Sequence, residues 1–510
     1  MFDVGRTLLA AAARDEDALA IVDGARRMTY GALRDEACRV AQGLDDLGLS
    51  KGDRLLIIMQ NRWEMVVTYF AAQLVGVVAT PINWRAEACE VEYFLKDSGA
   101  KAVLYEPVAE AAVAACTEAG DLPRIGVNGA DGRSHTFEDL LACQAATEVP
   151  RAGPHDSSLM LYTSGTTGRG KGVPRSHRAE RVAALAHVAQ NTYRTGEITL
   201  GVMPLYHTMG VRSLLAMVLI NGVFVCLPRF SPGAALDLIE AEGVSNLYLV
   251  PTLYHDVLGH PDFANRNTSS VRKLGFAGAP MTDGLLKRLD EAFQPDLFVN
   301  HYGSSEIYTF TIDQNACAKP GSAGKAGINT EIRVVEIGST DPEQRCVAGE
   351  EGQVIATLAG DEAFEGYWQR ADADAKALHA GWYFTGDIGY FDKDGDLFVT
   401  GRVDDMIITG GENVLPVEIE SCLSLHPAVS EVAVVGMPHE RWGQLVTAFL
   451  VRGGDVDAGD LDDWCKQSRL ANFKRPREYV FVEAIPKSPV GKILRRMLVA
   501  GDYAPEAPKT

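Results

Sequence analysis

The segment Leu161-Tyr-Thr-Ser-Gly-Thr-Thr-Gly-Arg-Gly-Lys-Gly-Val173 combines hydroxyl side chains, four glycines and one lysine in a single short stretch. Glycines let main-chain N–H groups approach an anion, hydroxyl groups add further donors, and Lys171 adds a positive charge. The preceding run, Ser158 to Tyr162, is mostly apolar and predicts a buried strand. The segment therefore predicts a phosphate-binding loop that leaves a sheet edge.

Two other interpretations of this loop agree less well with its residues. Gly165, Gly170 and Lys171 fit part of a Walker A pattern, but Gly172 stands where that pattern needs a serine or threonine for magnesium. A flexible linker is the second alternative, yet linkers seldom lie between an apolar strand and a single lysine. The loop therefore indicates phosphate binding of a different type.

Thr163 to Gly172 resembles the phosphate loop of the adenylate-forming superfamily, which contains acyl-CoA synthetases, peptide-synthetase adenylation domains and luciferases. The usual family form has proline where this chain has Gly170, and we expect the glycine to loosen the loop without removing a donor. The resemblance implies that nucleotide phosphates contact Thr163, Ser164, Gly165, Thr166, Thr167, Gly168 and Lys171.

Length and composition set limits on the class of protein. The chain has 510 residues, of which 46% are hydrophobic and 23% charged, so at least two folded domains are expected. No apolar run approaches the roughly 20 residues of a membrane-spanning helix. A formal charge of −20 argues against nucleic-acid binding and for a soluble protein. We expect neither nucleic acid nor membrane as a partner, and a homodimer is left open.

The N-terminus and the cysteines indicate the cell compartment. Residues Met1 to Ala20 lack the basic-then-apolar order of a signal peptide and predict an amphipathic helix. The nine cysteines are widely spaced and include no C-x-x-C pair, which predicts free buried thiols and no zinc site. Both observations favour a cytoplasmic protein.

Apolar periodicity predicts an α/β fold. Helix patterns at Ala32 to Leu47 and Glu64 to Val75 alternate with strand patterns at Arg54 to Met59 and Ala102 to Tyr105. Such alternation is typical of a mostly parallel sheet with helices on its faces. Beyond Gly321, short alternating strands predict a β-rich subdomain. The domain prediction is a large N-terminal domain, residues 1–403, and a small mobile α+β domain, residues 404–510. The resemblance implies a hinge at Asp404.

The segment Met203-Pro-Leu-Tyr-His-Thr-Met-Gly-Val-Arg212 contains candidate residues for the substrate acid. A lone histidine is more often structural than catalytic, but the resemblance implies that His207 lies beside the carboxylate to be activated. Met209 and Gly210 then lie near the acyl pocket, and the apolar pattern predicts a helix from Ser213 to Ile220. Arg212 either faces the far end of the acid or forms an ordinary salt bridge on its helix.

Two later glycine-containing segments resemble nucleotide-binding parts of the same family. The small residues of Gly278-Ala-Pro280 let a flat ring approach the main chain. This turn resembles the adenine-side loop of the family. In Asn300-His-Tyr-Gly-Ser-Ser-Glu306, the glutamate is a suitable magnesium ligand, while the alternative is a turn capped by that glutamate. The family form is Tyr-Gly-x-Thr-Glu, with Ser305 here in the threonine place. The predicted cofactor contacts are Gly278, Ala279, Pro280, His301, Tyr302, Gly303, Ser304 and Ser305, with Tyr302 packed on the adenine.

Further candidate residues follow in the second half of the chain. Asp387, paired with Arg402, has two oxygens that can accept hydrogen bonds from both ribose hydroxyls. The stretch Phe391 to Asp396 lacks the bidentate glutamate of a calcium loop and predicts a hairpin turn. In the first half of the chain, Arg85 beside a tryptophan is either a phosphate contact or an ordinary surface arginine.

The C-terminal part contributes the remaining residues. The resemblance implies that Lys492 is the adenylation lysine, which neutralises carboxylate and phosphate as they react. The resemblance also implies that two groups of residues contact the two ends of coenzyme A. The pantetheine arm lies along Gly410, Gly411 and Trp442, and the nucleotide end contacts Phe473, Arg475 and Arg477. In addition to the segment His207 to Arg212, acyl-pocket walls are expected from Ala184, Tyr248 to Val250, Gly278, Ile307 and Tyr308.

The full motif set looks most like the benzoate and chlorobenzoate CoA ligases, notably in the segments 403–413 and Arg441-Trp-Gly-Gln444. The resemblance implies an acid:CoA ligase that uses ATP, Mg²⁺ and coenzyme A, forms an acyl-adenylate and then a thioester, and acts on an aromatic or alicyclic acid. Alternatives are a stand-alone enzyme that loads a carrier protein, a ligase for a short or dicarboxylic acid, and a non-catalytic binding protein on the same fold.

Overall fold

The computed structural model describes residues 3–120, 122–145, 150–163, 170–468, 470–487 and 493–506, without the side chain of Asn413. In chain order the α-helices of these residues are α1 (Val4–Arg14), α2 (Tyr30–Asp46), α3 (Trp63–Val75), α4 (Ala88–Ser98), α5 (Glu110–Ala115), α6 (Phe137–Leu141), α7 (His177–Gln190), α8 (Thr208–Ile220), α9 (Pro232–Glu242), α10 (Pro251–Leu258), α11 (Asp283–Phe293), α12 (Ala371–Ala377), α13 (Pro416–Ser424), α14 (Ala458–Gln467) and α15 (Arg495–Ala500).

The strands of the same residues are β1 (Leu19–Asp23), β2 (Arg26–Thr29), β3 (Arg54–Ile58), β4 (Val78–Pro81), β5 (Ala102–Tyr105), β6 (Arg124–Gly126), β7 (His135–Thr136), β8 (Ser157–Thr163), β9 (Lys171–Ser176), β10 (Ile198–Gly201), β11 (Val223–Cys226), β12 (Asn246–Leu249), β13 (Lys273–Phe276), β14 (Leu297–Tyr302), β15 (Thr311–Asp313), β16 (Ser322–Ala326), β17 (Ile332–Val335), β18 (Gly352–Thr357), β19 (Leu378–His379), β20 (Trp382–Phe391), β21 (Leu397–Arg402), β22 (Ile407–Thr409), β23 (Glu412–Val414), β24 (Val429–His439), β25 (Gly443–Arg452) and β26 (Glu478–Phe481).

These strands form three sheets. A seven-stranded sheet has the order β7-β6-β5-β3-β4-β8-β9 and is parallel except for the β8–β9 pair. A 14-stranded sheet runs β17-β18-β20-β21-β16-β15-β14-β13-β12-β10-β11-β1-β2, with β19 beside β20. Its β14 to β1 half is parallel and its β17 to β15 half antiparallel. The predicted α/β class with a β-rich part beyond Gly321 is therefore confirmed.

The main hydrophobic core lies between the two larger sheets. It contains the apolar residues of α2, α3 and α8 together with strand residues of both sheets, such as Leu55 and Ile57 in β3 and Phe224 in β11. Helix α3 is buried from Glu64 to Val75, which explains its apolar character on all sides. This packing fixes α8, the helix that follows His207, relative to both sheets.

Residues from 407 onward form a third, separate sheet of five strands, β23-β22-β25-β24 with β26 beside β25. Its core contains Ile407, Val434, Leu450 and Leu461. The turn Val403–Asp405 connects β21 of the 14-stranded sheet to β22 of this one. The predicted hinge residue Asp404 lies within that turn, and its role as a hinge stays a prediction.

Three sequence expectations require correction. The N-terminal helix ends at Arg14 rather than near Ala20, because Leu19 to Val22 pair as a strand with β2 and β11. The predicted phosphate loop connects β8 to β9, and β9 rather than β8 is the edge strand of this sheet. The nine cysteines are free as predicted, but only Cys38, Cys116, Cys226 and Cys465 are buried.

Candidate functional site

The predicted phosphate loop connects β8 to β9, where Thr163 pairs with Lys171 in antiparallel register. Residues 164–169 lie outside the described residues, and with them the predictions on Ser164, Gly165, Thr166, Thr167 and Gly168. The pairing at Thr163 and Lys171 brings both ends of the loop together. Tyr93 donates a hydrogen bond from its hydroxyl to the Gly170 carbonyl at 2.7 Å, which anchors the returning end.

Lys171 points toward the segment that contains Glu306. Its Nζ lies 4.2 Å from the centre of the Tyr367 ring. Partial burial lowers the pKa of Lys171, and the nearby Glu306 carboxylate acts in the opposite direction. A positive charge and a carboxylate therefore lie at one place beside the phosphate loop.

The turn from Tyr302 to Phe310 presents Glu306. The turn is tight, since Ser304 N–H donates to the Ile307 carbonyl at 3.0 Å and a Cβ on Gly303 would lie 2.1 Å from the Tyr308 carbonyl oxygen. Only glycine fits at position 303. The hydroxyl of Ser304 accepts hydrogen bonds from the main chain of Glu306 and Ile307 at 3.2 and 3.4 Å. The turn is therefore capped by Ser304, and the alternative that Glu306 caps it is wrong.

The Glu306 side chain is buried, with 5% of the residue's surface exposed, and is oriented by Tyr367. The Tyr367 hydroxyl donates to Oε1 at 2.6 Å, while Oε2 accepts no hydrogen bond within the described part of the chain. A carboxylate with one oxygen fixed and the other available fits a magnesium ion that is otherwise held by substrate phosphates. Tyr367 is not identifiable from the sequence, because it lies 61 residues from Glu306 in a segment without a motif.

Asp387 and Arg402 lie together, as their pairing in the sequence analysis requires. Arg402 Nη1 lies 2.9 Å from Asp387 Oδ1, and β20 and β21 pair these two residues directly. The other carboxylate oxygen accepts a hydrogen bond from the Tyr302 hydroxyl at 2.6 Å. Tyr302 is therefore positioned by Asp387 at its hydroxyl end, and its ring lies 5.1 Å from that of Phe310.

His207 is the residue before helix α8 and accepts a hydrogen bond at Nδ1 from the Met209 N–H at 3.4 Å. Helix α8 begins at Thr208 rather than at Ser213, where the apolar pattern predicts its start. A Cβ on Gly210 would lie 2.2 Å from the Pro204 carbonyl oxygen, so glycine is required where the helix packs on the preceding turn.

The predicted adenine-side loop approaches the same helix. Gly278 has φ +83°, a conformation that favours glycine. A Cβ at this position would lie 3.3 Å from Val250 and 3.9 Å from the Met209 sulfur. The loop at Gly278 therefore lies beside the predicted acyl-pocket residue Met209.

The predicted acyl-pocket residues Met209, Arg212, Tyr248, Ile307 and Tyr308 are all buried. Among them, Tyr248 packs against two histidines, of which His187 is not identifiable from the sequence because its helix shows only a richness in alanine and histidine. Ring centres of His187, Tyr248 and His301 lie 4.8 to 5.1 Å apart in every pairing. The predicted nucleotide contact His301 is therefore a buried member of this ring cluster.

The C-terminal candidate residues occupy an exposed part of the five-stranded sheet and its flank. Gly410 N–H donates to the Trp442 carbonyl at 2.9 Å, and Gly410 and Gly411 have φ of +61° and +89°. Trp442 and Phe473 are exposed by 42% and 43%, which leaves both rings accessible to a ligand.

The candidate arginines differ in their contacts. Arg475 forms an ion pair with Asp462, whereas the guanidinium of Arg477 is exposed and donates to the Asn472 carbonyl at 2.8 Å. The guanidinium carbon of Arg85 lies 3.7 Å from the centre of the Trp84 ring, and its phosphate contact stays a prediction. Lys492 lies outside the described residues.

Known proteins share this geometry and sequence. The family model described as AMP-binding enzyme matches residues 8–368, and the AMP-binding enzyme C-terminal domain matches residues 418–492. The chain belongs to the AMP-binding enzyme family. It is an acid:CoA ligase of the adenylate-forming type, and the family chemistry uses ATP, Mg²⁺ and coenzyme A.

Similar proteins cover nearly the whole chain of this AMP-binding enzyme. A 4-chlorobenzoate–CoA ligase of Arthrobacter sp is 33% identical over 97% of this chain and 95% of its own. A long-chain-fatty-acid–CoA ligase of Mycobacterium tuberculosis is 33% identical over 95% and 94%. The solved structure of the anthranilate CoA ligase AuaEII with anthranoyl-AMP superposes with a TM-score of 0.90 at 26% identity, over 98% of this chain and 97% of that one.

The sequence predictions of family, fold and cofactors are therefore confirmed. Within the described residues, none of the helices combines the length and apolar character needed to cross a membrane.

Proposed function

We propose that this AMP-binding enzyme activates an aromatic, benzoate-like acid. The ring cluster of His187, Tyr248 and His301 supports this, because flat rings form a wall against which a planar acid packs well. The same wall contains buried polar atoms, His187 Nε2 and His301 Nδ1, which have no hydrogen-bond partner among the described residues. A ring that carries a polar group on its far side would give these atoms a partner, whereas a plain alkyl chain would not.

Relatives named for aromatic acids support the same assignment. They include the 4-chlorobenzoate–CoA ligase, a feruloyl-CoA synthase of Amycolatopsis sp and the anthranilate CoA ligase. A relative named for long-chain fatty acids is equally identical in sequence, so identity alone does not choose between aromatic and alkyl substrates. The composition of the pocket wall is the observation that favours the aromatic acid.

In the proposed reaction the carboxylate oxygen attacks the α-phosphorus of ATP, and pyrophosphate leaves. The thiol of coenzyme A then attacks the acyl carbon, loses its proton, and AMP leaves. Thr163, Lys171 and the loop between them contact the phosphates, Asp387 accepts from the ribose, and His207 lies beside the carboxylate. Lys492 neutralises charge in the first step. Magnesium, held by Glu306, supplies charge neutralisation on the phosphates when bound.

The test is a coenzyme A-dependent AMP-release assay with matched acids. Benzoate and heptanoate have the same number of carbon atoms but differ in shape. We expect kcat/KM for benzoate to exceed that for heptanoate by at least about tenfold, given the flat rings that form the wall. A preference for heptanoate would contradict the aromatic assignment and leave the ligase class intact.

The second candidate is an enzyme that loads the acid onto a carrier protein rather than onto coenzyme A. The exposed Trp442 ring beside Gly410 favours coenzyme A, since it offers a surface for a pantetheine arm, and the exposed Phe473 ring offers a surface for an adenine. Mass spectrometry of the thioester formed with free coenzyme A tests this. Acyl-adenylate without acyl-CoA would indicate the carrier-loading function.

A further inference from the structure

Arg212 is a buried guanidinium at the far end of the proposed acyl pocket. Only 3% of its surface is exposed. Nη1 donates to the Tyr308 carbonyl at 3.2 Å and to the Thr309 hydroxyl at 2.8 Å, and Nη2 donates to the Tyr248 hydroxyl. Nε–H is buried and has no partner among the described residues. The arginine therefore has neutral partners and one donor still unused.

No described carboxylate forms an ion pair with Arg212, which is unusual for a buried arginine. A second buried arginine in this protein shows the normal arrangement. Arg175 is fully buried and its Nε lies 2.9 Å from Glu180 Oε1. Glu362 interacts with Arg212 electrostatically but forms no ion pair with it, and burial raises the pKa of its carboxyl. The charge of Arg212 is therefore not neutralised by contact.

The ring side chains around Arg212 are also neutral. Burial and the adjacent guanidinium hold the pKa of His187 and of His301 well below the usual histidine value, so both imidazoles are uncharged at neutral pH. Burial raises the pKa of Tyr248, so its hydroxyl stays protonated. These side chains offer donors, but none of them is an anion that balances Arg212.

The position of Arg212 on helix α8 places it on the side of the substrate acid rather than of the nucleotide. Met209 and Arg212 are three residues apart on helix α8 and lie on the same face, one turn from each other. The Met209 sulfur lies 3.9 Å from where a Cβ on Gly278 would be. His207 precedes the helix. With its carboxylate by His207, an acid that packs along this face of the helix has its far end toward Arg212.

We infer that the acid carries a second carboxylate, which binds Arg212 Nε–H and the Nε2–H of His187, whose Nδ1 accepts from the Asn191 amide. This assignment rests on the proposed function, because it places the first carboxylate beside His207. It restricts the substrate class to benzoate-like acids with an anionic group on the far side of the ring. The buried positive charge then has a partner whenever substrate is bound.

The experiment measures ATP–pyrophosphate exchange with the three benzenedicarboxylates and with the monoamide of each. Acid and monoamide have nearly the same shape and differ by one charge. We expect kcat/KM for at least one dicarboxylate to exceed that of its monoamide by about tenfold or more. Arg212→Met should reduce that ratio to near one, while Arg194→Met, which changes an exposed arginine, should leave it unchanged.

Each outcome has a distinct meaning. If the wild-type enzyme uses the monoamides as well as it uses all three dicarboxylates, the inference is overturned. This comparison involves only the wild-type enzyme, so it does not depend on the folding of a variant. An Arg212→Met enzyme that keeps the wild-type ratio would overturn it too. If benzoate supports exchange but no dicarboxylate is preferred, the proposed function stands and only the inference fails. If none of these acids supports exchange, the proposed aromatic function fails first.

Discussion

At the residue scale, the clearest assignment concerns Glu306, whose carboxylate is oriented by Tyr367 rather than used to cap its own turn. Glu306→Gln keeps an oxygen that can accept from Tyr367 but removes the negative charge that a magnesium ion needs. We expect the rate of acyl-adenylate formation to fall by about a hundredfold or more, with added magnesium restoring part of it. Single-turnover formation of adenylate measures this.

The control for this variant is Glu365→Gln, which changes an exposed glutamate. We expect the control to retain full activity, and we expect Glu306→Gln to change the free energy of unfolding by no more than about 1 kcal/mol. A loss of stability as large as that of a core substitution, with unchanged adenylation in the folded fraction, would show that the carboxylate is structural.

At the element scale, helices α1 and α7 are joined through His177. The Val4 N–H donates to His177 Nδ1 at 3.3 Å, and burial lowers the pKa of His177 to about 4 from an ordinary 6.5. The His177 imidazole therefore becomes protonated at a higher pH in the unfolded chain than in the folded chain. We expect the stability due to His177 to be complete above about pH 6.5 and to be lost as the pH falls toward 4, by up to about 3 kcal/mol.

Chemical unfolding of wild type and of His177→Gln at several pH values tests this. The glutamine has an acceptor but no titratable group, so its unfolding free energy should fall less steeply between pH 6.5 and 4. His187 and His301 contribute to the slope in both proteins, and exposed His155→Gln serves as the control. Identical slopes for wild type and His177→Gln would show that His177 is not protonated on unfolding in this range.

The elements predicted well from the sequence are those whose apolar residues follow one period. The pattern predicts strand β5 at its observed bounds, and α3 within one residue, because both are buried and flanked by clear breaks. Strand β9, Lys171 to Ser176, has no such pattern since it contains glycine, proline and charged residues. It forms because β8 pairs with it and because an edge strand tolerates Pro174.

The residues of the candidate site also divide into those that a local sequence pattern indicates and those that it does not. Glu306, Asp387, Arg402 and His207 belong to short local motifs, so the sequence indicates them directly. Tyr367 and His187 contact the site from other parts of the chain, and their roles depend on packing that no local pattern reports. Arg212 is noticeable in the sequence, but whether it has a counterion is visible only when the neighbouring strands and helices are in place.

At the scale of the whole molecule, the turn Val403–Asp405 connects two sheets that carry different parts of the proposed chemistry. We propose that rotation about Asp404 brings Lys492 to the nucleotide for adenylation, and then the Gly410 and Trp442 segment for thioester formation. Lys492→Ala should abolish adenylate formation and leave transfer from preformed adenylate to coenzyme A nearly intact. Single-turnover assays of each step measure this, and equal damage to both would exclude rotation.

The hinge itself has a separate test. Proline fixes φ near −65°, which is also the value in a 3₁₀ turn such as Val403–Asp405, so Asp404→Pro should keep this arrangement and hinder others. We expect it to slow thioester formation more than adenylation, by about tenfold, whereas Asp404→Ala removes the side chain without this restriction. If the two substitutions have equal effects, the loss of the Asp404 carboxylate explains them and the restriction of φ does not.

Arg175 connects distant parts of the chain at the candidate site. Its Nη1 donates to the main-chain carbonyls of Glu306 and Glu362, which are 131 and 187 residues away in sequence. The turn that presents Glu306 therefore depends on contacts that form only after long loops have closed. During refolding from denaturant, we expect the circular-dichroism signal of the helices to recover first and pyrophosphate exchange to return in a slower phase.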